Sequence, residues 1–360
     1  MTLPVFRASL PRARALAPYL ERIDASGWYS NGGALARELE DRLRERCGGV
    51  SVRLASSGTA ALEGAILAAA GTATPERPLA LLPAYSFVAT AIAARRCGYI
   101  PYLLDVDAES WALDPERLAG HPQLARAGVA IAVAPYGRAV AQAPWRAFAD
   151  TTGVPVVIDA AAAIEAVFAD PARCLGRIPV ALSMQATKPL STAEGGAIVW
   201  SDAAGSERAR RALKFGFDAA RECVQAGSNG KLSEYHAAVG LASLDAFGEY
   251  RTRAARVAAR FAIAASIVVA PTVASTYALF HAASAQHATR VAAALADRGI
   301  ETRYWYGLGI HRHEYFRELA ADPLPVTDAL APRLVGLPCF DALTDPEIDA
   351  IVATVEGVPA

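Results

Sequence analysis

The sequence predicts an α/β protein, a large domain built on a mostly parallel sheet followed by a smaller α/β domain. Three observations carry that expectation. Short apolar runs alternate with helix-periodic segments from Val50 onward. Those runs, such as Leu79 to Leu82 and Val129 to Ala134, are too continuously apolar to expose a face, as expected of strands covered by helices on both sides. The length of 360 residues is long for one hydrophobic core, and a composition shift places a boundary near residue 245, giving domains 1–244 and 245–360.

The N-terminal region reads as two helices, Arg12 to Ile23 and Leu35 to Cys47, around the glycine-rich loop Gly27-Trp28-Tyr29-Ser30-Asn31-Gly32-Gly33. That loop is read either as a simple turn or as a functional segment. The short strand Val50 to Ala55 turns through Ser56-Ser57-Gly58-Thr59 into an alanine-rich helix, Ala60 to Ala70. Such a turn presents free backbone N–H groups at a positive dipole end, which suits phosphate. Serine and threonine also cap helices that bind nothing, so the turn alone leaves both readings open.

Strand Leu79 to Leu82 leads through Tyr85-Ser86-Phe87 into a helix from Val88 to Cys97, followed by the strands Ile100 to Leu104 and Val129 to Ala134 and a helix around Trp145 to Asp150. The next strand, Val154 to Ile158, ends in Asp159. A carboxylate at the end of a buried strand is costly unless paired or hydrogen-bonded, so Asp159 calls for a cationic partner; capping the following residues is the alternative.

The candidate partner lies 29 residues on. Lys188 sits in the small, hydroxyl-rich stretch Ser183 to Val199, between the apolar runs Ile178 to Leu182 and Ala197 to Trp200, which reads as strand, turn, strand. The chain has only three lysines, Lys188, Lys214 and Lys231, among 35 basic residues. Arginine stays protonated, whereas a lysine amine can lose its proton and form a Schiff base, so a lysine in an arginine-dominated chain points to that chemistry.

Beyond it, a helix is expected over Ala203 to Phe215. One long helix follows the capping sequence Ser233-Glu234 and continues past Arg251, Arg253, Arg256 and Arg260, whose spacing reads as a solvated surface. The second domain is expected to hold strands at Ile267 to Ala270 and Thr276 to His281 and a helix at Ala288 to Arg298. Its aromatic and histidine-rich part, Tyr304-Trp305-Tyr306 to His313, either lines a substrate mouth or packs on the large domain. His311 and His313 at i and i+2 do not share a helix face, so no metal site is expected.

The formal net charge of −1 gives no electrostatic reason to expect nucleic acid or an anionic membrane as partner. No apolar run reaches membrane-spanning length and the N-terminus lacks a basic region followed by an apolar core. Five scattered cysteines indicate neither a disulfide framework nor a zinc site. A cytoplasmic location is the expectation.

Taken together, the segments from Gly27 to Gly33, Ser57-Gly58-Thr59-Ala60-Ala61-Leu62, Tyr85 to Thr90, Ile158-Asp159-Ala160-Ala161, Ser183 to Lys188, Gly195-Gly196-Ala197, Asn229 with Leu232-Ser233-Glu234, and Leu337-Pro338 resemble the DegT/StrS-like sugar aminotransferases. These are pyridoxal-phosphate enzymes of fold type I, with an aspartate-aminotransferase-like large domain. The similarity runs through nearly the whole chain. It implies pyridoxal 5′-phosphate as cofactor, Lys188 as the lysine that carries it and later moves the proton, and Asp159 as the partner of the pyridine nitrogen. It implies Ser57, Gly58, Thr59 and Ser183 around the phosphate, Phe87 stacked on the ring, Ala162 in contact with the cofactor, and Asn229 reaching the phosphate of a neighbouring subunit in a homodimer. Candidate substrate contacts are Tyr29, Asn31, Tyr85, Glu194, Tyr306 and His311.

The expected reaction moves an amino group from glutamate or glutamine to a nucleotide-linked 3- or 4-ketosugar, in deoxyaminosugar or surface-polysaccharide biosynthesis. Two departures stand out: Ala162 where the family usually carries Gln or His, and Lys231 where it often has Arg. The alternatives are a non-catalytic or regulatory cofactor-binding paralogue and a pyridoxamine-dependent sugar dehydratase, a class that typically replaces the lysine by histidine.

Overall fold

The computed structural model describes residues 2–269 and 276–360. Seven strands form the main sheet: β1 (Ser51–Ala55), β2 (Leu79–Pro83), β3 (Ile100–Leu104), β4 (Ala127–Val133), β5 (Val156–Asp159), β6 (Val180–Ser183) and β7 (Gly196–Trp200). Their order is β1-β7-β6-β5-β4-β2-β3, and β7 alone runs against the others. Every residue of β2, β4, β5, β6 and β7 is buried, which accounts for their unbroken apolar runs.

Alternate side chains feed two cores. Leu79, Leu81, Ala130, Ala132, Val156 and Ile158 face a layer containing the helices Ala34–Arg46, Gln142–Thr152 and Glu234–Asp245. Ala80, Leu82, Val129, Ile131 and Val157 face the helices Gly58–Ala70, Val88–Arg96 and Ala203–Ala212. Helix Gly58–Ala70 is rich in alanine because it lies close against the sheet: a Cβ on Gly64 would come within 3.0 Å of both Ile198 and Leu213.

A second, antiparallel sheet comprises β8 (Ile267–Val269), β9 (Ala278–His281) and β10 (Leu334–Leu337) in the order β10-β9-β8. The expected strand to Ala270 is described as far as Val269, and Ala270 lies outside the described residues. Helices Phe247–Phe261, Ala285–Asp297 and Asp345–Glu356 pack on this sheet. Two segments cross between the two sheets. Leu3 bridges Ile300 and packs with Phe6 in the core of the small sheet, whereas Ile310, Phe316 and Leu324 enter the core of the large one.

One sequence expectation is corrected. The single long helix after Ser233 is two helices, Glu234–Asp245 and Phe247–Phe261, separated at Ala246 (φ −90°, ψ 1°). The first buries Ala237, Ala238, Leu241 and Leu244 in the large core, and the second buries Val257 and Phe261 in the small one, so the axis is redirected between two different packing surfaces. Of the arginines of the second helix, Arg253, Arg256 and Arg260 are exposed, as the sequence predicts, but they are not spread around it. They are spaced i, i+3, i+7 on one face and pair with Asp341, Asp345 and Asp349, while Arg251 meets the buried Glu165.

Candidate active site

The carboxyl ends of β1, β5 and β6 converge on one cleft of about 410 Å³, where open parallel sheets bind their ligands. After β1, the extended Ser57 (φ −162°, ψ 166°) caps helix Gly58–Ala70 by accepting a hydrogen bond from the Ala60 amide at 3.0 Å. The first amides of that helix therefore point at the cleft with the dipole behind them. Ser183, the last residue of β6, packs directly on this turn. A Cβ on Gly58 would lie 2.7 Å from the Ser183 Cβ and 2.9 Å from its Oγ, so glycine is what lets the helix end approach the serine hydroxyl.

Asp159 ends β5 and is only 8% exposed. Its Oδ2 accepts a hydrogen bond from Thr90 Oγ1 at 2.8 Å and its Oδ1 accepts one from the Ala161 amide at 3.1 Å. Burial raises its pKa above the ordinary carboxylate value, opposed by the Thr90 bond, the Ala161 bond and the Lys188 charge. Thr90 is itself fixed by a 2.8 Å bond to Ser86, one helical turn earlier.

Lys188 lies in the excursion between β6 and β7. Its base is closed by Met184 N donating to Gly195 O and Thr192 N donating to Met184 O, both at 2.8 Å. Within it Gln185 Oε1 accepts from the Thr187 amide and hydroxyl. The Lys188 backbone is tied to Gln185 O, and its Nζ donates to Tyr277 Oη at 3.0 Å. Phe87 lines the same cleft and is 56% exposed, an apolar ring left open to it.

Of the residues singled out in the sequence, Ser57, Gly58, Thr59, Phe87, Asp159, Ala162, Ser183, Lys188, Glu194 and Tyr306 all line this cleft. Five others do not. Tyr85 lies behind the wall, bonded to Tyr136 Oη at 2.8 Å and edge-on to Tyr306. Tyr29 stacks on Tyr235 beside the loop that holds Asn31. Asn229 is held against Lys231 in an exposed loop. His311 bonds Asp328 at 2.9 Å.

Sequence reasoning assigned no role to Thr90, Gln185, Thr187 and Tyr277; Trp305, from the stretch read as lining a mouth or packing on the large domain, does line the cleft. The spacing of Ser86 and Thr90, four apart at the start of a helix, is a signal that would have found Thr90; nothing local marks Tyr277.

The donor set fits pyridoxal phosphate. A helix N-terminus with a serine hydroxyl at glycine-limited distance suits its phosphate, a buried carboxylate short of a full cationic partner suits a protonated ring nitrogen, an open aromatic face suits the ring, and a lysine amine suits the aldehyde.

An open sheet in this order with one reversed strand, covered by helices on both faces and followed by a small antiparallel sheet, defines the class of fold-type-I pyridoxal-phosphate enzymes. Within that class the chain belongs to the DegT/DnrJ/EryC1/StrS aminotransferase family, whose profile matches residues 13–356. It is 33% identical to Protein MT3510 of Mycobacterium tuberculosis, over 98% of this chain and 89% of that protein. It is 30% identical to the dTDP-4-amino-4,6-dideoxy-D-glucose transaminase of Escherichia coli, over 68% of this chain and 64% of that protein. The crystal structure of DesI in the presence of its TDP-sugar product superposes with a TM-score of 0.85 at 30% identity, covering 99% of this chain and 93% of that one. Among the described residues, no helix is long and apolar enough to cross a membrane.

Proposed function

We propose that this chain transfers an amino group from glutamate or glutamine to a nucleotide-linked 3- or 4-ketosugar, using pyridoxal 5′-phosphate, in deoxyaminosugar or surface-polysaccharide biosynthesis. The observation that carries this reading is the meeting of the Lys188 amine, the buried Asp159 carboxylate and the amide-lined turn at Gly58 in one cleft. Relatives whose names specify dTDP- and UDP-linked sugars support the substrate class.

When bound, the cofactor supplies an aldehyde that accepts the donor's nitrogen and a ring that withdraws electrons from the bond being broken. The chain's own residues do the rest. Gly58, Thr59, Ser57 and Ser183 hold the phosphate. Asp159, whose charged form the Thr90 hydroxyl and the Ala161 amide favour against burial, would hold the proton on the ring nitrogen. Phe87 and Ala162 bound the ring. Lys188 takes and returns the proton at the reacting carbon. Glu194 and Tyr306, on the cleft lining, contact the substrate. The enzyme works in the cytoplasm as a homodimer in which Asn229 completes the phosphate cradle of the neighbouring copy, and the division into two domains falls near residue 245.

The test is spectroscopic. The protein loaded with pyridoxal phosphate should be yellow, bleach with L-glutamate or L-glutamine, and recover its colour on adding the nucleotide ketosugar; Lys188→Ala should show neither the lysine-bound band nor turnover. A spectrum unmoved by either donor overturns the transaminase reading, and retention of the band without bleaching assigns the chain to a cofactor-binding paralogue instead.

A further inference from the structure

The Lys188 amine is met by a residue that borders the small sheet. Tyr277 immediately precedes β9, 89 residues away in the chain, and its hydroxyl accepts the Lys188 Nζ–H at 3.0 Å. The ring that carries this hydroxyl is buried and gripped from two sides. It packs edge-on against Tyr136, with centroids 5.4 Å apart at 74°, and against Trp305, at 5.6 Å and 85°. Tyr136 is in turn stacked on Tyr306 at 4.3 Å, and its left-handed backbone (φ 52°) points its amide at the Tyr306 hydroxyl, 3.2 Å away. Two chain segments, one at Tyr136 and one at Trp305 and Tyr306, thus fix the ring bearing the oxygen that Lys188 meets.

A lysine side chain is a flexible four-carbon stem whose amine, left to itself, samples many positions. A reaction that needs that amine within a few tenths of an ångström of one carbon gains from anything that narrows the sampling beforehand. We propose that Tyr277 is a positioning residue for Lys188: its hydroxyl holds the amine at the cleft wall whenever that amine is not covalently engaged. Capture of an aldehyde, and each return of the amine to proton transfer, then starts from one geometry. The proposal rests on Lys188 being the reacting amine, and it makes the small-sheet region part of the active site, since the acceptor immediately precedes β9 while the lysine lies in the excursion between β6 and β7.

With only three lysines in the chain, the test can be read at the residue itself. Protein free of cofactor is labelled with 13C-lysine, its three side chains assigned by Lys214→Arg and Lys231→Arg, and the relaxation of the Lys188 Cε compared with that in Tyr277→Phe, which keeps the ring and its two aromatic contacts. The expected result is a rigid Lys188 Cε in the native protein and a mobile one in the variant; equal mobility overturns the proposal. In parallel, the variant should capture pyridoxal phosphate about fivefold more slowly, the scale of one lost hydrogen bond, while its affinity for 4′-deoxypyridoxine phosphate, which has no aldehyde, stays unchanged. Capture at the native rate, or an equal loss of affinity for the aldehyde-free analogue, overturns it as well. Should the native protein take up no pyridoxal phosphate at all, the functional reading fails, and the relaxation comparison still decides the Lys188–Tyr277 contact.

Discussion

Asp159 and Thr90 meet 2.8 Å apart in the interior, the carboxylate from the end of β5 and the hydroxyl from the first turn of helix Val88–Arg96. The bond is the largest of the influences that lower the Asp159 pKa against the rise imposed by burial. Thr90→Val keeps the shape and removes the donor. Asp159 then protonates more readily and, in its proposed role, pairs less well with a protonated ring nitrogen. Affinity for pyridoxal phosphate should fall by about tenfold, the scale of a hydrogen bond to a charged group. A cofactor titration followed by absorbance measures this, and Thr90→Ser, which restores the hydroxyl, should recover most of it.

The raised pKa of Asp159 also sets how stability varies with pH in the cofactor-free protein. Between the ordinary carboxylate value and the folded one, the folded state holds a proton that the unfolded state has released. Asp159 therefore contributes stability that is complete at low pH and lost as pH rises through the folded value. Asp159→Asn removes this dependence. Denaturant unfolding of native and variant protein should show the variant gaining relative stability as pH climbs above the usual carboxylate range. A constant difference across that range would mean that the folded value is not raised.

Much of this site was legible in the sequence because its chemistry sits at element boundaries. Lys188, Asp159, Ser57 and Ser183 each end or follow a strand whose apolar run is unmistakable, and a ligand-binding position follows from where the runs stop. The parts that were not legible depend on contacts between distant segments. Tyr277 looks like an ordinary aromatic residue until the small sheet folds against the large one. The break at Ala246 is invisible because both flanking helices are periodic and carry no proline there; it exists because they serve different cores. The acidic partners of the exposed arginines were hidden for the same reason, lying 80 to 90 residues away.

Glu234 shows how a local signal can be right in kind and wrong in address. The sequence Ser233-Glu234 announces a helix start, and Ser233 does cap its own helix by accepting from the His236 amide. Glu234 turns away and caps another helix, its carboxylate accepting from the Leu35 amide at 2.8 Å and the Ala36 amide at 3.2 Å while almost wholly buried. Glu234→Ala leaves both amides unpaired and should cost about 1–3 kcal/mol in denaturant unfolding. Glu234→Gln, with one acceptor left, should lose about half as much. The variants should keep their affinity for pyridoxal phosphate, because the residue supports the loop 27–33 and does not line the cleft.

Gly58 and Ser183 offer a sharper test of the phosphate cradle, because their approach is limited by a single missing carbon. A Cβ at position 58 would sit 2.7 Å from the Ser183 Cβ, inside any distance that carbon atoms adopt, and 3.2 Å from its Cα. Gly58→Ala must therefore push the helix end away from β6, with an overpacking cost of about 1–3 kcal/mol and a displacement of the amides from the serine hydroxyl. Ser183→Gly alone removes the hydroxyl without the clash and should weaken phosphate binding while leaving stability nearly unchanged. In the double variant the clash with the serine side chain is gone, so stability should return toward that of Ser183→Gly, and the two substitutions should be strongly non-additive. Additive losses in denaturant unfolding would mean that the backbone at position 58, and not its contact with Ser183, is what requires glycine.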